Sequence, residues 1–315
     1  MYAAAARVGS GVLAFIPSPS GGGFSIGPLK VRAYGFCIAL GVVAAVWLSN
    51  RRWLARGGDP TDIGAIATWG VPAGVIGARL YHVATDWKSF RGRWFDVVKI
   101  WEGGLGIWGG VALGVTVGVI VARRRNMPVG PLLDTVAPAI PLAQAIGRWG
   151  NWFNIELFGG PTKLPWALEV PQAKRPAAFA DRATFHPTFL YESLWNLLVV
   201  AVVLLVERRY GKQLKRGRLF AVYVATYTFG RFWIERVRVD FASKVLGLRI
   251  NEWTAMIVFV VALGFVVTAR ARTTTTPSPA TAGQPHDPLV AGHDHDHTDH
   301  DHTDHDHTDH DHTVA

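Results

Sequence analysis

The sequence predicts an all-α polytopic membrane protein with seven transmembrane helices, its N-terminus outside and its C-terminus cytoplasmic. Composition is the first reason. Half of the 315 residues are hydrophobic, only 17% are charged, and the mean hydropathy is +0.20. The second is a series of apolar runs close to the roughly 20 residues that one helix needs to cross a bilayer. The third is that every alternate connection between those runs is a dense Lys/Arg cluster, the mark of a cytoplasmic loop. The net charge of +9 hides a division. All 32 Lys and Arg lie before Thr273 together with 14 acidic residues, so residues 1–272 carry +18, while residues 273–315 hold nine Asp and no base. This composition excludes a disordered, collagen-like or disulfide-stapled body, and the single Cys37 cannot form an intrachain disulfide.

Residues 1–30 read as an extracytoplasmic segment. The apolar run at 11–16 is too short for a cleavable signal peptide and soon meets Pro17 and Pro19. Residues 31–272 form the membrane domain, with spans at 32–50, 63–83, 104–122, 132–150, 188–206, 217–235 and 252–269. The fifth and seventh are the most apolar. The fourth contains Pro138 and Pro141, which remove backbone donors, so a kink or break is expected there. Arg51, Arg52 and Arg56 follow the first span and Arg123, Arg124 and Arg125 the third. Six basic residues between Arg208 and Arg218 separate the fifth from the sixth, and Arg270 and Arg272 follow the seventh. Gly70 and Gly74 on the second span, and Gly106, Gly110, Gly114 and Gly118 on the third, recur every four residues. That spacing lets helix backbones approach closely.

Charged and amide side chains inside such helices are expensive, so each is a candidate functional group. The fourth span ends in a run holding Arg148, Asn151, Asn154 and Glu156. On the sixth, Tyr227, Arg231, Glu235 and Arg238 are spaced by four, four and three, which places them on one helix face. An Arg231–Glu235 pair that only neutralises itself is the simpler reading; an arginine kept for an anion, its rotamer fixed by the glutamate, is the functional one. The fifth span opens at His186 and Pro187, with Tyr191 and Glu192 little more than a turn further in. Tyr34 starts the first span and Arg79 lies near the end of the second. The predicted topology brings all of these to the outer side, which implies one arginine-rich cavity suited to an anionic head group such as phosphate.

These motifs resemble the prolipoprotein diacylglyceryl transferase family. The strongest is GRWGNWFNIELFG (Gly147 to Gly159), accompanied in order by RAYG (Arg32 to Gly35), GARLY (Gly77 to Tyr81), HPTFLYE (His186 to Glu192) and GRFWIE (Gly230 to Glu235). The likeness covers roughly residues 24–270. It implies seven transmembrane helices in a bacterial cytoplasmic membrane and a transfer reaction. The diacylglyceryl group of phosphatidylglycerol passes to the lipobox cysteine thiol of a prolipoprotein signal peptide, with release of glycerol-1-phosphate. The resemblance implies that Arg148 and Arg231 bind the phosphate and stabilise the departing anion, with Asn151, Asn154, Glu156 and Glu235 shaping that site. Tyr34, Arg79, His186 and Tyr227 match further positions that the family uses, so Arg148, Arg231, His186 and Tyr34 are the candidate catalytic residues. No cofactor, metal or nucleic-acid partner is expected. One departure stands out: many members carry a histidine, a favoured base for the thiol, where this chain has Trp108. Indole accepts no proton at neutral pH, so that role does not carry over. A free thiol with pKa about 8.5 supplies some thiolate unaided, and an arginine-rich field would lower that pKa. His82 or His186 are candidate acceptors, with a bystander role the simpler reading of His82.

Two other classes compete. A small-anion transporter or channel also uses broken helices and intramembrane arginines, but such sites sit near the midplane, often in proteins with internal repeats. A metal-binding membrane protein is suggested by the last 43 residues, where ten of the twelve His alternate with Asp. Such a segment buries no core and defines no ligand geometry, so it is expected to be disordered and without a part in the chemistry.

Overall fold

The computed structural model describes residues 15–19, 21–26, 29–100, 103–239 and 244–268. The expectations for residues 1–14 and for the tail at 273–315 lie outside them. Among the described residues the chain forms eight α-helices: α1 (Ala33–Leu54), α2 (Asp62–Thr85), α3 (Ile107–Arg124), α4 (Val129–Val136), α5 (Ala139–Asn154), α6 (Thr188–Tyr210), α7 (Arg218–Val237) and α8 (Ile250–Thr268). Three short antiparallel strand pairs join them: β1 (Gly23–Ile26) with β2 (Leu29–Arg32), β3 (Leu168–Glu169) with β4 (Thr184–Phe185), and β5 (Lys244–Val245) with β6 (Leu248–Arg249).

Six of the predicted spans are long and apolar enough to cross a membrane: α1, α2, α3, the α4–α5 stretch Val129–Asn154, α6 and α8. Length and composition thus support six of the seven expected spans. α7 has 20 residues but falls outside that set, since Arg218, Arg231, Glu235 and Arg236 and several Thr and Tyr lower its apolarity. The fourth span is broken as expected, ending one helix at Val136 and starting the next at Ala139 around Pro138. The third helix starts later than predicted. Gly103 (φ 94°) and Gly104 (φ 71°) take left-handed backbone, so residues 103–106 form a loop and the helix begins at Ile107.

The apolar surface is turned outward, as lipid requires. In α3 only Ala122 is buried, and Ile107, Val111, Val115 and Val119 are all exposed. Ile257, Val260, Val261 and Phe265 do the same on α8. Inward, α2 packs on α3, α1 on α5, α5 on α6, α6 on α7 and α7 on α8. The two glycine stripes face each other. A Cβ at Gly114 would lie 3.2 Å from the Gly70 carbonyl, and at Gly77 or Gly109 it would collide with the other's carbonyl oxygen. Midway along the bundle, Val199 and Val203 of α6, Leu219 and Tyr223 of α7 and Ala137 make an apolar core.

The bundle has two polar ends. At one, Arg52 donates to Glu207 (Nη1 to Oε2, 2.8 Å) and to the carbonyls of Asp134 and Thr135, and Arg56 joins the same glutamate. Asp134 accepts from the amides of Gly217 (2.7 Å) and Leu219 (2.9 Å), so a carboxylate from α4 caps α7 and meets the positive end of its dipole. At the other end, residues 155–187 fold over the helices around Phe158, Leu168, Val170, Phe185 and Phe189. That segment is clamped by backbone bonds from Gly159 N to the His186 carbonyl and from Gly160 N to the Val237 carbonyl, both 2.9 Å.

The paired glycine stripes give a direct stability test. Gly77→Val forces backbone separation of α2 from α3 and is expected to cost about 2 kcal/mol or more. Gly64→Ala, where an added Cβ meets nothing within 4 Å, is expected to be neutral or to stabilise by up to about 1 kcal/mol. Thermal unfolding of the two variants in detergent checks the contrast.

Candidate active site

The polar residues singled out from the sequence meet at the end of the bundle that the 155–187 segment covers. α5 supplies Arg148 and Asn151 one turn apart, then stops where Ile155 turns left-handed (φ 51°). That turn brings Glu156 back onto the helix it has just left. Its Oε1 accepts from Asn151 Nδ2 at 2.7 Å and from Asn154 Nδ2 at 3.3 Å. Asn151 Oδ1 in turn accepts from Arg148 Nη1 at 3.5 Å.

Arg148 and Arg231 are joined through one buried carboxylate. Glu192, in the first turns of α6 and 4% exposed, places Oε2 2.6 Å from Arg148 Nε and Oε1 3.4 Å from Arg231 Nη1. Arg231 Nη2 also contacts Glu235 one turn along α7. Glu235 is fully buried and serves several cations: Arg249 Nη1 lies 3.0 Å from its Oε1, Arg238 Nη1 3.9 Å from its Oε2, and Asn251 Nδ2 donates to Oε1 at 3.2 Å. Helices α5, α6, α7 and α8 are thereby tied by one ladder of alternating charge. In a low-dielectric interior each carboxylate makes its arginines affordable, and removal of one strands the others. Among the described residues, Arg148 Nη2 and Arg231 Nε make no hydrogen bond.

Beside the ladder lies a cavity of about 550 Å³. Tyr34 from α1, His82 from α2, the Gly103–Leu105 turn, Asn154 and Glu156 line it, with Arg32 and Phe36 at its side. Asn154 and Glu156 thus belong to both cavity and ladder. Arg79 holds the cavity's far wall. Its Nε donates to the Val97 carbonyl (2.7 Å), Nη1 to the carbonyls of Gly103 (2.6 Å) and Gly104 (3.0 Å), and Nη2 to that of Asp96. Four of its five N–H groups are therefore spent on loop backbone.

The remaining predicted residues sit at the edges. Tyr227 lies one turn before Arg231, with its ring 5.9 Å from that of Tyr223 beside the apolar core. His186 precedes α6, and its Nδ1 is 3.1 Å from the Tyr191 hydroxyl, which itself accepts from Trp166 Nε1 at 3.0 Å. The direction of the His186–Tyr191 bond follows the imidazole tautomer: the hydroxyl donates to a bare Nδ1 or accepts from Nδ1–H. Burial lowers the His186 pKa from its usual 6.5, so the ring is neutral at pH 7.

The comparison with protein families decides what this constellation belongs to. Residues 22–268 match the family model described as prolipoprotein diacylglyceryl transferase. The chain belongs to the prolipoprotein diacylglyceryl transferase family. It is similar to phosphatidylglycerol–prolipoprotein diacylglyceryl transferase 1 of Streptomyces coelicolor, with 55% identity over 258 residues, 81% of this chain and 74% of the relative. The enzymes of the same name from Frankia alni (53% over 262 residues, 82% and 68%) and Mycobacteroides abscessus (46% over 273 residues, 82% and 79%) are further relatives.

Within this member of the transferase family, Trp108 stands exposed in the first turn of α3, outside the cavity lining, and the imidazole in the cavity is that of His82. Sequence reasoning gave Glu192 no role beyond neighbouring His186, although an isolated acid entering the most apolar helix was a signal in itself. Arg249 and Asn251 carried no such signal, because their link to Glu235 spans a loop and depends on tertiary packing.

Glu192→Ala should leave two partly buried guanidinium groups without their shared counter-ion and cost about 3 kcal/mol, whereas Glu192→Gln, which keeps the shape and one acceptor, should cost less. Chemical unfolding in detergent measures both. Equal stability of the two variants would show that the bridge contributes little.

Proposed function

We propose that this chain transfers the diacylglyceryl group of phosphatidylglycerol to the lipobox cysteine thiol of a prolipoprotein. The reading adds that it does so at the outer face of a bacterial cytoplasmic membrane, with seven helices crossing and the C-terminus inside. The observation that carries it is the pair of arginines fixed on one carboxylate, each with a donor to spare, in a chain of this family. The cysteine sulfur attacks the glyceryl carbon that bears the phosphate. A carbon–sulfur bond forms, the carbon–oxygen bond breaks, and its electron pair leaves on the phosphate oxygen of glycerol-1-phosphate. The thiol proton passes to a base.

Arg148 and Arg231 stabilise the charge that grows on the departing phosphate, in a site poor in water where fixed donors act most strongly. Glu192 and Glu235 hold the two guanidinium groups in place before the reaction, so little reorganisation accompanies it. Asn151 orients Arg148 and is itself held by Glu156. Arg79 acts at one remove, by shaping the wall that carries Gly103 and Gly104. Tyr227 lies one turn before Arg231 on α7, with its ring against Tyr223. His82 is the better proton acceptor of the two histidines, because it shares the cavity with Tyr34 and Glu156, while the Nδ1 of His186 is engaged by Tyr191. A polar site gathered at one end of the bundle favours lateral chemistry on a lipid over passage of an anion through the midplane.

Thioether formation between phosphatidylglycerol in vesicles and a lipobox peptide tests the assignment. Arg148→Ala and Arg231→Ala are each expected to lose about 10²- to 10³-fold in turnover, and Arg123→Ala, at the opposite end of the bundle, to stay within about twofold. Near-normal turnover in both site variants would overturn the phosphate role. In the same assay, His82→Ala should slow single-turnover transfer by about 10²-fold at pH 7. The deficit should shrink above the thiol's own pKa of about 8.5, where no acceptor is needed. An unaltered rate in His82→Ala would exclude that base.

A further inference from the structure

Arg148, Arg231, Arg238 and Arg249 at this end all meet a carboxylate, whereas Arg32 has no counter-ion among the described residues. It closes β2, opposite Gly23 in the hairpin, and immediately precedes α1, and its side chain is exposed. Among the described residues its guanidinium has no hydrogen-bond or ion-pair partner. It nevertheless belongs to a built wall. Arg32 lines the cavity that Tyr34, His82, Asn154 and Glu156 share, and it lies against Gly103, where an added Cβ would come within 2.6 Å of Nη1. The left-handed backbone of Gly103 (φ 94°), held by the bond from Arg79 to its carbonyl, is what lets the guanidinium lie there.

The cavity connects two different electrostatic settings. At its inner side, Asn154 and Glu156 lead through Asn151 to Arg148, whose charge is already shared with Glu192. At its outer side stands Arg32, exposed and without a partner among the described residues. The proposed reaction changes the charge of the phosphate that crosses between them. The lipid is a phosphodiester with one negative charge, whereas the released monoester carries about −1.5 to −2 at pH 7. The product therefore calls for more positive charge than the substrate, and Glu156, the one carboxylate lining the cavity among the described residues, repels it.

We propose that Arg32 is the product-side phosphate contact: it receives the glycerol phosphate monoester after transfer and draws it from the arginine ladder toward the aqueous mouth of the cavity. This rests on the transfer reading above. The ligand chemistry is a phosphate, which the entering lipid also carries, so the test separates the two. Arg32 is a binding residue for the leaving group and takes no part in carbon–sulfur bond formation.

The experiment measures product inhibition by added glycerol-1-phosphate, the KM for phosphatidylglycerol in vesicles and the single-turnover rate, for the unsubstituted protein, Arg32→Gln and Arg32→Lys. Loss of one charge-assisted contact should raise the inhibition constant in Arg32→Gln by about tenfold, more than it raises KM or lowers the single-turnover rate. Arg32→Lys should recover part of the effect. An inhibition constant within about twofold of the unsubstituted protein overturns the proposal, and so does a rise confined to KM, which would make Arg32 a contact for the entering lipid. Should Arg32→Gln fail to fold, Arg32→Lys alone carries the comparison against Arg123→Gln. Equilibrium binding of labelled glycerol-1-phosphate in detergent, with inorganic phosphate as competitor, reads the same contact without the reaction. It still decides the role of Arg32 if the unsubstituted protein makes no thioether, an outcome that sinks the transfer reading instead.

Discussion

A guanidinium group in an apolar interior is costly unless acceptors compensate its charge, and that constraint organises this molecule. Glu192 and Glu235 are the two acids that satisfy it at the candidate site, 4% and 0% exposed. Each is shared by more than one arginine, so neither arginine of the central pair is fully neutralised by a private partner. The arrangement fixes Arg148 and Arg231 on shared oxygens and leaves each of them a donor that makes no hydrogen bond among the described residues. Because the ladder draws on α5, α6, α7 and the residues around α8, the same contacts that prepare the site also set the relative positions of four helices. Stability and chemistry depend on the same few oxygens.

The opposite end repeats the logic with different residues. Glu207 gathers Arg52 and Arg56, and Asp134 occupies the amides that open α7. Between the ends, cohesion is apolar or steric: valines and Tyr223 in the middle of the bundle, and facing glycines where α2 meets α3. Polar bonds are thus concentrated where the chain leaves the apolar layer, and close packing serves where no polar group is available.

How much of this the sequence disclosed varies with the kind of interaction. The most apolar helices, α6 and α8, are legible from composition alone, and the break at Pro138 follows from a missing donor. The contacts along one helix, Arg231 with Glu235 and Arg148 with Asn151, follow from spacing. The start of α3 was misplaced because Gly103 and Gly104 count as neutral on any hydropathy scale, while their backbone leaves the helix. Arg79 looked like a ligand residue, yet its donors go to loop carbonyls whose positions only the folded chain defines. The partnership of Glu192 with two arginines on different helices, and of Arg249 with Glu235, belongs to tertiary structure and has no signature in local order.

The polar make-up of α7 bears on how the chain comes to be assembled. A segment holding Arg231 and Glu235 gains little from leaving water by its own composition, and entry of each charge is opposed. Its complements are distributed in time: Asp134, Arg148 and Glu192 are synthesised before it, Arg249 and the greasy α8 just after. The earlier helices supply a prepared berth and the later one a lock, so α7 is retained by its company. The helix that carries Arg231 is thereby the one least able to take its place before the rest of the ladder exists.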